Sequence, residues 1–147
     1  MAQVRVSLPH HQYDMLIEAT ALERLGSIAH GLAPHQRCAL IADSEVAGLH
    51  GDEAIASLQA AGYDVLLHAI PAGEHQKTLD TVRAAYDVML NERLERKSPV
   101  IALGGGVVGD TAGFIAATYL RGVPFIQCPT TLLAMVDASV GGKVGVN

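Results

Sequence analysis

LGGGVVGD, residues 103–110, is the stretch on which the reading of this chain turns. The apolar run Val100, Ile101, Ala102 and Leu103 leads into it, and the small-residue run TAGFIAA, residues 111–117, follows. The order is strand, glycine turn and helix start. Glycine has no Cβ, so the backbone can come close to a ligand and can take a positive φ. The unpaired N–H groups at the start of the next helix favour a phosphate. Small residues let that helix pack close to the sheet. Gly104, Gly106 and Gly109 fit the spacing G-x-G-x-x-G. Two details set the motif apart from the usual dinucleotide fingerprint. Pro129, Thr130 and Thr131 stand about 20 positions further on, where that fingerprint expects an acid. At least two strands also precede the motif, whereas the usual one fills the first strand-to-helix turn. A tight turn without a ligand would satisfy the same residues, so the decision rests on the rest of the chain.

With 147 residues the chain has room for one domain with its own core. Half of the residues are hydrophobic and only 17% are charged, which excludes a disordered chain and suits an α/β fold. The net charge is −5, and the one basic cluster, residues 93–97, alternates with Glu92 and Glu95 like a solvated helix end. No nucleic-acid partner is expected from it. No apolar run is long enough to span a membrane, and no charged-then-apolar leader opens the chain, so no membrane partner and a cytoplasmic location are expected. Cys38 and Cys128 lack metal or redox spacing and lie in apolar runs, which predicts buried free thiols.

Taken in order, residues 4–8 alternate apolar and polar and predict a strand, with residues 13–17 as its partner. The adjacent His10 and His11 would point to opposite sides of an extended chain, with no third ligand nearby, so no metal site is expected there. Residues 21–30 carry a helical stripe closed by Gly31. Residues 38–42 are continuously apolar, as in a parallel strand covered on both faces. Asp43 follows. It either faces a ligand at the strand's carboxyl end or caps the next helix, with Ser44 as the other candidate cap. Residues 52–61 predict a helix ended by Gly62, and residues 65–70 another buried strand. The loop PAGEHQK, residues 71–77, comes next, then an amphipathic helix over 78–95 broken by Ser98 and Pro99. After the glycine helix, Arg121 and Gly122 make a turn and residues 123–128 a strand, with Pro124 near its start. Thr130 or Thr131 can cap a helix over 132–139, and residues 140–143 read as a flexible loop with one cation, Lys143.

Strands near 38–42, 65–70, 100–103 and 123–128 thus alternate with helices. The pattern predicts an α/β fold, a Rossmann-like and mostly parallel sheet with helices on both faces, plus an N-terminal antiparallel strand pair. Right-handed crossovers place Asp43, residues 74–77, residues 104–110 and Thr130 with Thr131 along one rim, a cofactor cleft.

The stretch TYLRGVPFIQCPTTLLAMVDASVGGKVGVN, with GGGVVGD before it, closely resembles the 3-dehydroquinate synthase family of the shikimate pathway. AGEHQKT resembles that family's GE-x-x-K-[ST] loop and ADSEV its adenosine-side loop. The likeness is good over residues 38–147 and looser over the first 30. It implies NAD and a divalent metal, zinc or cobalt, and the conversion of 3-deoxy-D-arabino-heptulosonate 7-phosphate into 3-dehydroquinate and phosphate, a lyase reaction. Carried over motif by motif, Asp43 would contact the adenosine ribose. Glu74 and Lys77 would approach the nucleotide. Gly105, Gly106 and Val107 would line the pyrophosphate, with Asp110 on the nicotinamide side. Thr130, Thr131 and Lys143 would also hold the cofactor. Arg121, Asp137 and Lys143 would reach the sugar-phosphate substrate.

The family has a second, helical domain after this point, with a Glu and two His as metal ligands. The seven histidines here show no spacing that could replace them. The resemblance therefore implies that residues 1–147 are the N-terminal dinucleotide-binding domain of a two-domain enzyme. By the same resemblance the metal ligands would lie outside the chain, the isolated piece would be inactive, and the full-length enzyme would be a homodimer. Ala138 and Val144 stand where the family often has Ser or Thr. Three alternatives share parts of the pattern: a related sugar-phosphate cyclase making a cyclitol, a nucleotide-binding module without catalysis, and the metal-dependent alcohol and glycerol dehydrogenases of similar fold.

Overall fold

The computed structural model describes residues 2–8 and 11–147. Strands β1 (Ala2–Leu8) and β2 (His11–Ile17) pair antiparallel, with Val4 opposite Met15 and Arg5 opposite Asp14. Arg5 donates to both oxygens of Asp14, at 2.8 and 3.0 Å. Pro9 and His10, in the expected connection, lie outside the described residues.

The main sheet is built from β3 (Arg37–Asp43), β4 (Asp64–Ile70), β5 (Val100–Gly104) and β6 (Phe125–Pro129), all parallel, in the spatial order β4-β3-β5-β6. The two central strands, β3 and β5, are the continuously apolar ones, as a sheet covered on both faces demands. Alternate residues feed two cores. Ala39, Ile41, Val100 and Ala102 join Val82, Met89, Val108 and Ile115 on one face. Leu40, Ala42, Ile101 and Leu103 join Leu25, Ala29, Ala54 and Leu58 on the other. The first face is covered by α3 (Leu79–Asn91) and α4 (Gly106–Thr118), the second by α1 (Leu25–Leu32) and α2 (Ser44–Ala60). The strand pair and the helix-covered parallel sheet are the α/β architecture that the sequence predicts.

Element edges differ from the sequence expectation for local reasons. Helix α1 starts at Leu25, not 21, because Ala21 N turns back to Glu18 O at 3.4 Å and Arg24 pairs with Glu18 at 2.7 Å. Gly31 lies inside it. Helix α2 starts at Ser44, two turns before the expected 52. Gly48 and Gly51 weaken its propensity, each by about 1 kcal/mol, and hide the start. The Asp43 carboxylate overrides them by accepting from Glu45 N at 3.0 Å and Val46 N at 2.9 Å. Helix α3 ends at Asn91 rather than 95, where Arg93 takes a positive φ of 55° and Leu94 N closes on Met89 O at 2.9 Å. The expected burial of residues 65–70 is only partly met. β4 is an edge strand, and Leu67 is 38% exposed. Strand β6 starts at Phe125, since Pro124 offers only its carbonyl, to Val100 N. Cys38 and Cys128 are free, and burial pushes both thiols up to about 12, far from a thiolate at neutral pH. Among the described residues no helix is long and apolar enough to cross a membrane.

Candidate functional site

From β3 the chain goes to one side, to β4. It then returns across β3 to β5 and on to β6. The order therefore reverses between β3 and β5, and such a reversal opens a crevice beyond the strands' carboxyl ends. Ala42 pairs with Leu103, so Asp43 and Gly104 are the next residues up on either side of that point. The glycine motif thus sits at the switch point although it follows the third strand of the sheet. That resolves its departure from the usual first-turn position.

Gly105 is the N-cap of α4 and supplies no side-chain cap. No acidic side chain stands in the first turn, so the N–H groups of Gly106, Val107 and Val108 face an end with positive character. Glycines hold this turn tight. A Cβ on Gly104 would lie 2.6 Å from Val108 Cγ2, and one on Gly105 would lie 3.2 Å from Thr131 Cγ2. At Gly106 a Cβ would make only ordinary contact with Ala138 Cβ, at 3.5 Å, so internal packing does not demand glycine there.

The two threonines play different parts. Thr131 Oγ1 accepts from Ala134 N at 3.2 Å and caps the turn that opens at 132 and widens into a π-helical turn, Ala134–Ala138. Thr130 N donates to Gly104 O at 3.0 Å, which fixes the threonine against the glycine strand. Its hydroxyl is buried and has no partner among the described residues. A buried hydroxyl without a partner is costly and marks a place where a ligand or water can complete it. Asp43 splits its duty too. Oδ1 takes both capping bonds, and Oδ2 has no hydrogen bond among the described residues. The cap reading of Asp43 is therefore met, and its position at the end of β3 puts it on the rim.

The PAGEHQK loop reaches the same region through Lys77. Lys77 Nζ lies 2.7 Å from Asp110 Oδ2 and 3.8 Å from Glu74 Oε1. The Asp110 carboxylate holds the ammonium above its ordinary range. Asp43, Gly105, Gly106, Val107, Asp110, Thr130 and Thr131 lie at the carboxyl rim of the sheet, and the ion pair brings Lys77 and Glu74 to Asp110.

The three expected substrate residues form no ion pair with this cluster among the described residues. Arg121 is not brought to the rim. Helix α4 starts at the rim and carries the chain about 20 Å down the sheet, and Arg121 follows it in the turn Tyr119–Arg121, with φ of 70°. Asp137 is exposed on the π-helical turn and Lys143 is exposed in the segment after it, and neither forms an ion pair among the described residues. The segment read as a flexible loop is tied to the strand pair, where Gly141 N donates to Tyr13 Oη at 2.7 Å. Gly113, in the small-residue run expected to pack close to the sheet, does so, with Phe125 Cε1 of β6 3.2 Å from a Cβ placed there, and it also seats Val144, whose Cγ1 would stand 2.2 Å from that Cβ. The only sequence signal for that contact is the alternation of Val144 and Val146 with Gly145 and Asn147.

These residues fit a dinucleotide: an uncapped helix start for a pyrophosphate, a free carboxylate oxygen, and an unpaired hydroxyl. Among the described residues no group of three or more His, Cys, Asp or Glu is placed to hold a metal ion.

Residues 67–147 match the family model described as 3-dehydroquinate synthase N-terminal. The chain is 51% identical over 144 residues to the 3-dehydroquinate synthase of Rippkaea orientalis, covering 98% of this chain and 39% of that protein. It thus spans about two fifths of the length of such relatives. Among solved structures it resembles 2-deoxy-scyllo-inosose synthase complexed with carbaglucose-6-phosphate, NAD+ and Co2+, with TM-score 0.91 and 25% identity over 99% of this chain and 39% of that one. It also resembles 2-epi-5-epi-valiolone synthase from Streptomyces hygroscopicus subsp. jinggangensis with NAD+ and Zn2+ bound, with TM-score 0.77 and 34% identity over 97% and 39%. With the family model matched over more than half of its length, on a sheet whose switch point carries the glycine turn, the chain belongs to the 3-dehydroquinate synthase family.

Proposed function

We propose that residues 1–147 are the NAD-binding domain of a 3-dehydroquinate synthase, a lyase that converts 3-deoxy-D-arabino-heptulosonate 7-phosphate into 3-dehydroquinate and phosphate. One observation carries the reading: an uncapped α4 N-terminus at the switch point, flanked by Asp43 and by the unpartnered Thr130 hydroxyl. The higher identity to 3-dehydroquinate synthases than to the two cyclases supports this substrate over a cyclitol precursor.

When bound, NAD supplies a temporary oxidation at substrate C5, which acidifies the neighbouring C–H and lets phosphate leave. The chain's own residues bind and orient. The N–H groups of Gly105, Gly106 and Val107 meet the pyrophosphate, whose charge the helix start favours. Asp43 Oδ2 accepts from a ribose hydroxyl, and its charge disfavours a ribose phosphate. Thr130 and Thr131 hold the nucleotide from the β6 side. Glu74 and Lys77 approach it from their loop, and Asp110 keeps Lys77 charged and in place. Lys143 and Asp137 meet the substrate, the cation its phosphate and the carboxylate a hydroxyl. Arg121 has a phosphate-binding side chain, but within one chain it stands at the far end of α4 and takes no part in this cluster. The resemblance puts the metal's ligands outside this chain, in a second domain, so no metal step is assigned to these residues, and the isolated domain is inactive.

Calorimetric titration of the purified chain with NAD, and with NADP as control, tests this. Binding of NAD with little for NADP is expected. No heat of binding from a folded chain would overturn the assignment of the cleft to these residues.

A further inference from the structure

We infer that residues 144–147 form a strap that positions Glu74 and Lys77 for the cofactor, an inference that rests on the NAD reading above. The strap lies across α4 and ends on the loop. Val144 sits on Gly113, where a Cβ would stand 2.2 Å from Val144 Cγ1 and 2.9 Å from Val144 Cβ. Only glycine leaves that seat open. Gly145 N donates to Asp110 O at 3.3 Å. Val146 is half-buried against the core that α3 and α4 share. Asn147 N then donates to Lys77 O at 2.9 Å, and Asn147 Nδ2 lies 3.5 Å from Glu74 Oε1. Lys77 closes the circle on Asp110 at 2.7 Å. The strap therefore bridges the two parts of the site that no sheet hydrogen bond joins, the α4 start and the 73–77 loop.

The loop has little to hold it otherwise. It turns at Gly73, with φ of 121°, and its one short helical turn spans Glu74–Gln76. Glu74 and His75 are exposed, and none of residues 74–76 is buried. A loop of this kind fluctuates unless something outside it fixes its backbone, and ordering it at the moment of binding weakens affinity. The strap does that ordering in advance. Asn147 is a positioning residue, acting through Glu74 and the Lys77 backbone.

Gly113→Ala unseats the strap without altering the glycine turn or any residue assigned to NAD. The expected result is faster hydrogen exchange at the amides of residues 74–77 and a roughly tenfold weaker NAD affinity, with the sheet's slow-exchanging amides unchanged. Gly113→Ala combined with Val144→Gly removes the Cγ1 and Cβ that the new methyl would meet and restores both. A role confined to overall stability would alter the sheet amides as well. Unchanged exchange and NAD affinity in folded Gly113→Ala would overturn the strap. If that variant fails to fold, Asn147→Pro, which lacks the N–H to Lys77 O, carries the same test with α4 intact. A wild-type chain that binds no NAD would overturn the cofactor reading instead, and the exchange at residues 74–77 then decides the strap by itself.

Discussion

The two ends of the parallel sheet treat their polar groups in opposite ways. At the amino end, His35 Nδ1 accepts from Arg37 N at 3.1 Å and lies 3.2 Å from Ser98 Oγ, while Nε2 faces Glu95 at 3.3 Å. Ser98 Oγ in turn accepts from Glu95 N at 2.9 Å. Arg37 donates to Glu92 O at 2.7 Å and lies 3.5 Å from Asp64. The groups close on one another, and the connections after α1 and α3 are fixed by them. At the carboxyl end, among the described residues, the Thr130 hydroxyl is buried without a partner, α4 begins without a side-chain cap, and one oxygen of Asp43 is left over. Folding satisfies buried polar groups wherever it can. The set left open on one rim supports the proposed cofactor cleft, with the closed set at the other rim as its contrast, and the buried Thr111 hydroxyl inside α4 also has no partner among the described residues.

Gly106→Asp breaks the contrast most strongly. The fold has space for the Cβ, 3.5 Å from Ala138 Cβ. The carboxylate would stand where the pyrophosphate is expected, like charge on like charge. NAD affinity should fall at least ~100-fold, about 2.7 kcal/mol, with the far-ultraviolet spectrum unchanged. Equal binding by a folded variant would remove the glycine turn from the site.

A pair of hydroxyl deletions sharpens the comparison. Ser98→Ala leaves Glu95 N without its acceptor and His35 without one of its partners, and should cost roughly 1–3 kcal/mol in denaturant unfolding, with NAD affinity unchanged. Thr130→Val removes a hydroxyl that has no partner among the described residues. It should leave stability level or raise it by up to ~1 kcal/mol, while NAD binding weakens roughly fivefold. The reverse pattern, with Thr130→Val destabilising and Ser98→Ala weakening NAD, would assign the ends wrongly.

The smallest effect concerns Lys77. Its folded pKa is raised, first by the Asp110 hydrogen bond. The stabilisation is therefore complete below the unfolded value, about 10.4, and fades as pH climbs through the folded one. Asp110→Asn should flatten the stability curve above about pH 10.4, where the pair's contribution begins to fade. A variant as sensitive as the wild type there would mean that the pair contributes nothing.

Much of this was legible in the residues. The continuous apolar runs of β3 and β5 announced a sheet covered twice, and the glycine motif announced a turn at its rim, because both depend on local periodicity and on glycine's missing Cβ. The start of α2 was hidden, since Gly48 and Gly51 argue against a helix that only the Asp43 cap secures. Which threonine caps and which stays open was undecidable from a Thr-Thr pair. It depends on where β6 ends against Gly104, a contact 26 positions apart in the chain.

By itself the sequence determined the α/β alternation, the helix-covered parallel sheet and the family, each carried by short motifs and by the period of apolar residues. Only the tertiary structure decided that Arg121 stands at the far end of α4, that Gly113 seats Val144 as well as packing on the sheet, and that Asn147 binds the Lys77 loop. Those facts follow from distances between segments remote in sequence. They are set by how helices and sheet pack, and no local pattern of residue types encodes them.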